Sequence, residues 1–123
     1  MKRILVVDDA ATVRLYHRNI LEAAGYAVDE AVNGIEAMEK ALQTPFDLYV
    51  VDINMPKLDG YGFLREIRSQ EIAQPPAIMV STEAESNDRH RAYRAGANIY
   101  LIKPVKPDGL LTYIRLLLAE ERT

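Results

Sequence analysis

Leu48-Tyr49-Val50-Val51-Asp52-Ile53-Asn54-Met55-Pro56 decides how this chain is read. Four apolar residues in a row, two of them valine, suit a short strand covered on both faces. A carboxylate closes the run, and Pro56 follows in the next loop. Asp52 therefore belongs at the carboxyl end of a buried strand, where ligands gather in open α/β sheets. The same arrangement recurs outward. Ile4–Val7 ends in Asp8-Asp9, Ala77–Val80 ends in Ser81, and Ile99–Ile102 ends in Lys103-Pro104. Three carboxylates, a hydroxyl and a lysine are thus expected on one rim. That set suits a divalent cation and a phosphoryl group.

Between the strands, which include a fifth at Ala27–Ala31, the sequence carries helical patterns. The first is expected over about Ala11 to Ala24, with Val13, Tyr16, Ile20 and Ala24 inward and Gly25 as its stop. The second starts after Asn33, an N-cap residue type, and ends before Pro45. The third covers roughly Gly60 to Gln70, with Phe63, Leu64 and Ile67 inward. The fourth runs roughly from Ser86 to Ala95 and stops at Gly96. The fifth starts near Pro107-Asp108, with Leu110, Ile114 and Leu117 inward; proline suits a first helical turn. Five β-α units predict a doubly wound parallel sheet with right-handed crossovers.

Composition bounds the function. With 123 residues the chain fits one domain, expected over 1–123 with no output domain. No cysteine is present, so disulfides and thiolate metal sites are excluded. The net charge of −3 provides no global basic field for nucleic acid. No apolar run reaches the length of a membrane span, and a cytoplasmic protein without membrane insertion is expected.

Val6-Val7-Asp8-Asp9, Val51–Pro56 with Asp59-Gly60, Val80-Ser81 and Lys103-Pro104, in that order, resemble the receiver domains of two-component response regulators, in particular the stand-alone CheY type. The resemblance covers essentially the whole chain. It implies the strand order 2-1-3-4-5. It implies Asp52 as phosphoacceptor, with Mg²⁺ (or Mn²⁺) held by Asp8, Asp9, Asp52 and the backbone carbonyl of Asn54. Ser81 and Lys103 would bind phosphoryl oxygens, and a cis bond before Pro104 is usual in such domains. Phosphoryl transfer rests mainly on positioning and charge neutralisation, which suits this set.

The resemblance further implies a switch in which Ser81 moves and Tyr100 changes between buried and exposed positions. The expected reading surface combines the fourth helix, fifth strand and fifth helix, with Tyr100, Arg89, Tyr93, Tyr113 and Leu116. Tyrosine and arginine are enriched in interface cores. Asn54, Thr82 and Glu83 stand where such domains tune the phosphoryl lifetime, and the Asn54/Glu83 combination suggests a short one. Thr82 is larger than the usual residue and could narrow access to Asp52. Arg89 replaces a usual apolar residue, which argues against a direct copy of the flagellar-switch contact.

Implied partners are a sensor histidine kinase or a histidine phosphotransfer protein, a downstream protein target, and a phosphorylation-dependent homodimer. Direct DNA binding is not expected. Arg14, Arg18 and Asn19 on the first helix are candidate docking residues for the phosphodonor. A phosphorelay intermediate is the alternative role. An aspartyl-phosphate phosphatase of the haloacid dehalogenase kind shares the nucleophile, but it needs an acid where Asn54 stands. A flavin binder is disfavoured by the acidic first loop and the lack of tryptophan. The expectation is a switch, not an enzyme.

Overall fold

The computed structural model describes residues 1–83 and 85–119; the tail read after the fifth helix, Glu120–Thr123, lies outside them. Five strands alternate with five helices: β1 (Arg3–Val7), α1 (Ala11–Ala23), β2 (Ala27–Ala31), α2 (Gly34–Gln43), β3 (Leu48–Asp52), α3 (Gly60–Arg68), β4 (Ala77–Ser81), α4 (Ser86–Ala95), β5 (Ile99–Ile102) and α5 (Pro107–Leu117). The sheet is parallel throughout, in the order β2-β1-β3-β4-β5.

Side chains alternate across the strands and build a core on each face. Leu5, Val7, Tyr49, Val51, Met79 and Tyr100 face α2, α3 and α4, which contribute Ala37, Phe63, Leu64, Ile67 and Ala92. Ile4, Val6, Leu48, Val50, Ile78 and Val80 face α1 and α5, which contribute Leu21, Leu110 and Ile114. Every residue of β3 and β4 is buried, as their unbroken apolar runs require. β2 lies at an edge, and Asp29 and Glu30 there are only half-buried.

The helix starts follow local chemistry. Asn33 Oδ1 accepts the Glu36 N–H at 2.8 Å, and Asp59 Oδ1 accepts the Gly62 N–H at 2.8 Å. Both are side-chain N-caps. Gly96 ends α4 with φ of +118°, a left-handed position that glycine takes without strain.

The first helix differs from its expected orientation. Its buried residues are His17 and Leu21, not a stripe centred on Tyr16. Val13, Ile20 and Ala24 are half-buried beside them, and Tyr16 remains 43% exposed. A histidine in the most buried position breaks the apolar pattern, so the periodicity pointed one residue away.

Candidate functional site

Strand order reverses between β1 and β3, and the crevice beyond their carboxyl ends is where such sheets place ligands. Asp8 follows β1 and Asp52 ends β3; both are buried, whereas Asp9 is exposed. One carboxylate oxygen from each of Asp8, Asp9 and Asp52 lies within 4.8 Å of the others. Lys103, just past β5, donates to Asp8 Oδ2 and to Asp52 Oδ1, each at 3.0 Å. The lysine backbone N–H is fixed on Ser81 O at 2.8 Å, and the Lys103-Pro104 bond is cis.

Burial raises the Asp52 pKa. The Lys103 hydrogen bond opposes that rise, while the charges of Asp8 and Asp9 add to it. For Lys103, burial acts against the ammonium. Its hydrogen bonds to Asp52 and Asp8 and their charges outweigh that effect and hold its pKa above the ordinary value. The rim is therefore an acidic cluster with one built-in cation. Asp9 has no ion pair with Lys103.

The backbone beneath this cluster is tightly packed. A Cβ on Gly60 would come within 2.4 Å of the Asp52 carbonyl oxygen, so only glycine lets α3 start directly under the carboxylate. Asp8 Oδ1 accepts the Ala10 N–H at 2.9 Å, which shapes the loop leading into α1. Asn54 is exposed on the loop beyond Asp52.

Ser81 is buried at the end of β4, and its Oγ accepts the Glu83 N–H at 3.0 Å. Tyr100 is also buried, and its hydroxyl donates to Glu83 O at 2.6 Å. The two residues expected to switch thus hold the N–H and the C=O of the same residue. Thr82 and Glu83 are exposed. The Arg89 guanidinium lies 5.1 Å from the centre of the Tyr100 ring. Tyr93, Tyr113 and Leu116 are exposed on α4 and α5.

Two sequence expectations about α1 change. Arg14 donates to Glu30 Oε1 at 2.9 Å and to Asp8 O at 2.8 Å. Arg18 pairs with both Glu30 and Glu22. They are struts tying α1 to β2 and to the Asp8 loop rather than free docking cations; Asn19 remains exposed. Several contributors were not anticipated. Arg68 donates to Gly96 O through Nε (3.2 Å) and Nη2 (2.9 Å), and to Pro75 O through Nη1 (2.8 Å). Tyr61 is buried with the Arg91 guanidinium 4.2 Å from its ring centre. Such Arg–Tyr pairs join different elements, and one-dimensional spacing carries no signal for them.

The sequence model of the response regulator receiver domain matches residues 4–115. The chain belongs to that family, the phosphorylation switches of two-component signalling. It is 39% identical over 116 residues to the transcriptional regulatory protein ResD of Bacillus subtilis, a match covering 94% of this chain and 48% of ResD, so it spans about half that relative's length. Among solved structures, the chemotaxis protein CheY4 of Vibrio cholerae is 33% identical with a TM-score of 0.90, over 95% of this chain and 98% of that one. The receiver domain of the sensor histidine kinase PA1611 of Pseudomonas aeruginosa is 32% identical with a TM-score of 0.89, over 97% and 98%. That structure holds a magnesium ion in its active-site cleft.

Proposed function

We propose that Asp52 accepts a phosphoryl group, with Asp8 and Asp9 as its acidic partners, and that the chain acts as a chemotaxis-type switch. The observation that carries the assignment is the cluster of three carboxylates within 4.8 Å, with Lys103 bonded to two of them. Such a set of hard oxygen donors fits Mg²⁺. Asp8, Asp9, Asp52 and the Asn54 carbonyl would hold the ion, and Mn²⁺ suits the same donors. When bound, it supplies the positive charge that offsets the incoming phosphoryl oxygens.

An Asp52 oxygen forms the new O–P bond as the N–P bond of a phosphohistidine breaks, and the electron pair stays on the imidazole nitrogen. Lys103 offers a point charge to one phosphoryl oxygen, and the Ser81 hydroxyl donates to another. The phosphoryl group adds roughly two negative charges to the rim. Drawing Ser81 towards it would release the Glu83 N–H, and Tyr100 would feel the change through Glu83 O. The reading surface is then Tyr100, Arg89, Tyr93, Tyr113 and Leu116, engaging a downstream protein. No turnover of a free substrate is expected, since Asn54 cannot serve as a general acid. The reading places the protein in the cytoplasm.

Intact mass after incubation with a small phosphodonor and Mg²⁺ tests the assignment. Wild type should gain one phosphoryl group and Asp52→Asn none. An adduct of equal yield on Asp52→Asn would refute it. Likeness to a receiver domain carried by a sensor kinase favours one second reading, a phosphorelay intermediate. Transfer from phosphorylated Asp52 to a histidine phosphotransfer protein, without phosphorylation-dependent binding of a target, would select it.

A further inference from the structure

α3 and α4 meet along a seam whose cations are arginine and histidine; neither helix contains a lysine. On α3, the Tyr61 ring lies under the Arg91 guanidinium, and its hydroxyl donates to Asp88 O at 3.4 Å. Arg68, two turns further along α3, donates to Gly96 O just past the end of α4. The two helices therefore run side by side in the same direction. Arg65 stands one turn from Tyr61 and one from Arg68, on that same side of α3. On α4, Arg91 and Arg94 are three apart and share a side, with His90 next to them. Arg65, His90, Arg91 and Arg94 are all exposed. Among the described residues none of the four makes an ion pair, whereas Arg3, Arg14 and Arg18 each have a carboxylate partner.

Gathering like charge here is unfavourable in the free protein. Arg91 and Arg94 repel across one turn, and α4 buries only Ala92 and Ala95. Asp88, three residues before Arg91, makes no ion pair with it, and Glu66 follows Arg65 directly and so points elsewhere. An incoming anion would relieve the repulsion. The planar arginine fork takes carboxylate or phosphate through two parallel hydrogen bonds. The rest of the molecule selects between carriers of those groups. Its net charge is −3, and exposed Glu66, Glu71, Glu83 and Glu85 belong to the same two helices or to the loops beside them. The 10 residues of α4 span only about 15 Å. A nucleic acid or an anionic membrane extends further and would meet these acids. A short segment rich in Asp and Glu would touch the arginines alone. We propose that the α3–α4 seam docks an acidic segment of a partner protein through Arg65, Arg91 and Arg94. It lies on the flank of α4 away from Arg89 and Tyr100, so the proposed reading surface stays free.

The test is a titration of the ¹⁵N-labelled full chain at low salt with a glutamate octamer, against a glutamine octamer as the neutral counterpart. Saturable shifts are expected at the amides of Arg65, Arg91 and Arg94 with the first peptide and not the second, and they should weaken as salt is raised. Changing these three arginines together to glutamine should weaken binding roughly tenfold, the order expected of three exposed ion pairs. Arg115→Gln, exposed on α5, should leave it unchanged. If the triple variant does not fold, the two peptides on wild type decide alone. Equal shifts with both peptides, shifts centred elsewhere, or equal weakening by Arg115→Gln would overturn the proposal. So would tighter binding of a single-stranded DNA octamer, which would make the seam a nucleic-acid surface. The same amides shifting on simple concentration of the protein would also overturn it, because the seam would then be a contact between copies. Binding is read without Mg²⁺ or a phosphodonor, so its failure leaves the Asp52 assignment untouched.

Discussion

Helices α3 and α4 pack side by side on the same face of the sheet but are held in different ways. α3 has an Asp59 cap and buries Tyr61, Phe63, Leu64 and Ile67. α4 has no side-chain cap and buries only Ala92 and Ala95. Its remaining side-chain ties are polar: Arg91 on the Tyr61 ring, the Tyr61 hydroxyl donating to Asp88 O at 3.4 Å, Arg89 on the Tyr100 ring, and Arg68 reaching its C-terminal Gly96 carbonyl. A fully buried large apolar side chain contributes about 1.5–3 kcal/mol, whereas an exposed Arg–aromatic pair contributes about 0.5–1 kcal/mol. The helix that starts under Asp52 is fixed by burial. The helix expected to report the signal is held by contacts that water can replace. A switch needs both, since a charge added to the rim must meet a rigid floor and a movable neighbour.

The largest test of this contrast is Phe63→Ala. Phe63 is fully buried, with its ring 5.3 Å from Tyr49 in an edge-on arrangement. The change should cost about 3–5 kcal/mol by urea denaturation. A loss below about 1 kcal/mol would mean that α3 is not the burial-fixed element. Arg68→Met comes next. It strips the Gly96 and Pro75 carbonyls of a charged donor, with an expected loss of about 2 kcal/mol. The amides at the C-terminal end of α4 should exchange faster. If they do not, that end is anchored by the buried Ala95 and Ala97 and by the Asn98–Ala77 hydrogen bonds rather than by Arg68.

How much of this was legible in the sequence follows from the physics of each part. Strands β3 to β5 fall where the apolar runs place them, because a doubly covered parallel strand is apolar nearly throughout, while β2 at the sheet edge carries Asp29 and Glu30 and still falls where expected. The rim residues were legible because each ends such a run, so locating the strand locates the side chain. The face of α1 was misjudged because His17 is polar in type yet buried in place. Arg14 and Arg18 looked like free surface cations because their partner Glu30 is on another element. The Glu83 bridge between Ser81 and Tyr100 runs through backbone atoms, which sequence patterns do not report.

His17 extends the comparison to pH. Its folded pKa lies below the ordinary 6.5, chiefly through burial. The unfolded chain therefore binds a proton that the folded chain refuses, and His17 makes stability fall as pH drops below 6.5. Asp52, with its pKa raised by burial, acts in the opposite sense as pH falls through its own range. The two separate in a difference measurement. Wild type minus His17→Leu should lose stability as pH falls below 6.5, and a flat difference would show that His17 protonates freely in the fold.

The smallest expected effect is the most diagnostic. Arg91 is exposed, and its guanidinium stands 4.2 Å from the Tyr61 ring centre, joining α4 to α3. Arg91→Ala should lower global stability by only about 0.5–1 kcal/mol. Its local effect should be sharper, because α4 buries so little else. Amides in α4 should exchange several-fold faster, while those in α3 keep their protection, since α3 rests on Phe63, Leu64 and Ile67 rather than on Arg91. Equal acceleration in both helices would show that they open as one unit. The contrast would then be lost, and any signal leaving Asp52 would have to move α3 and α4 together.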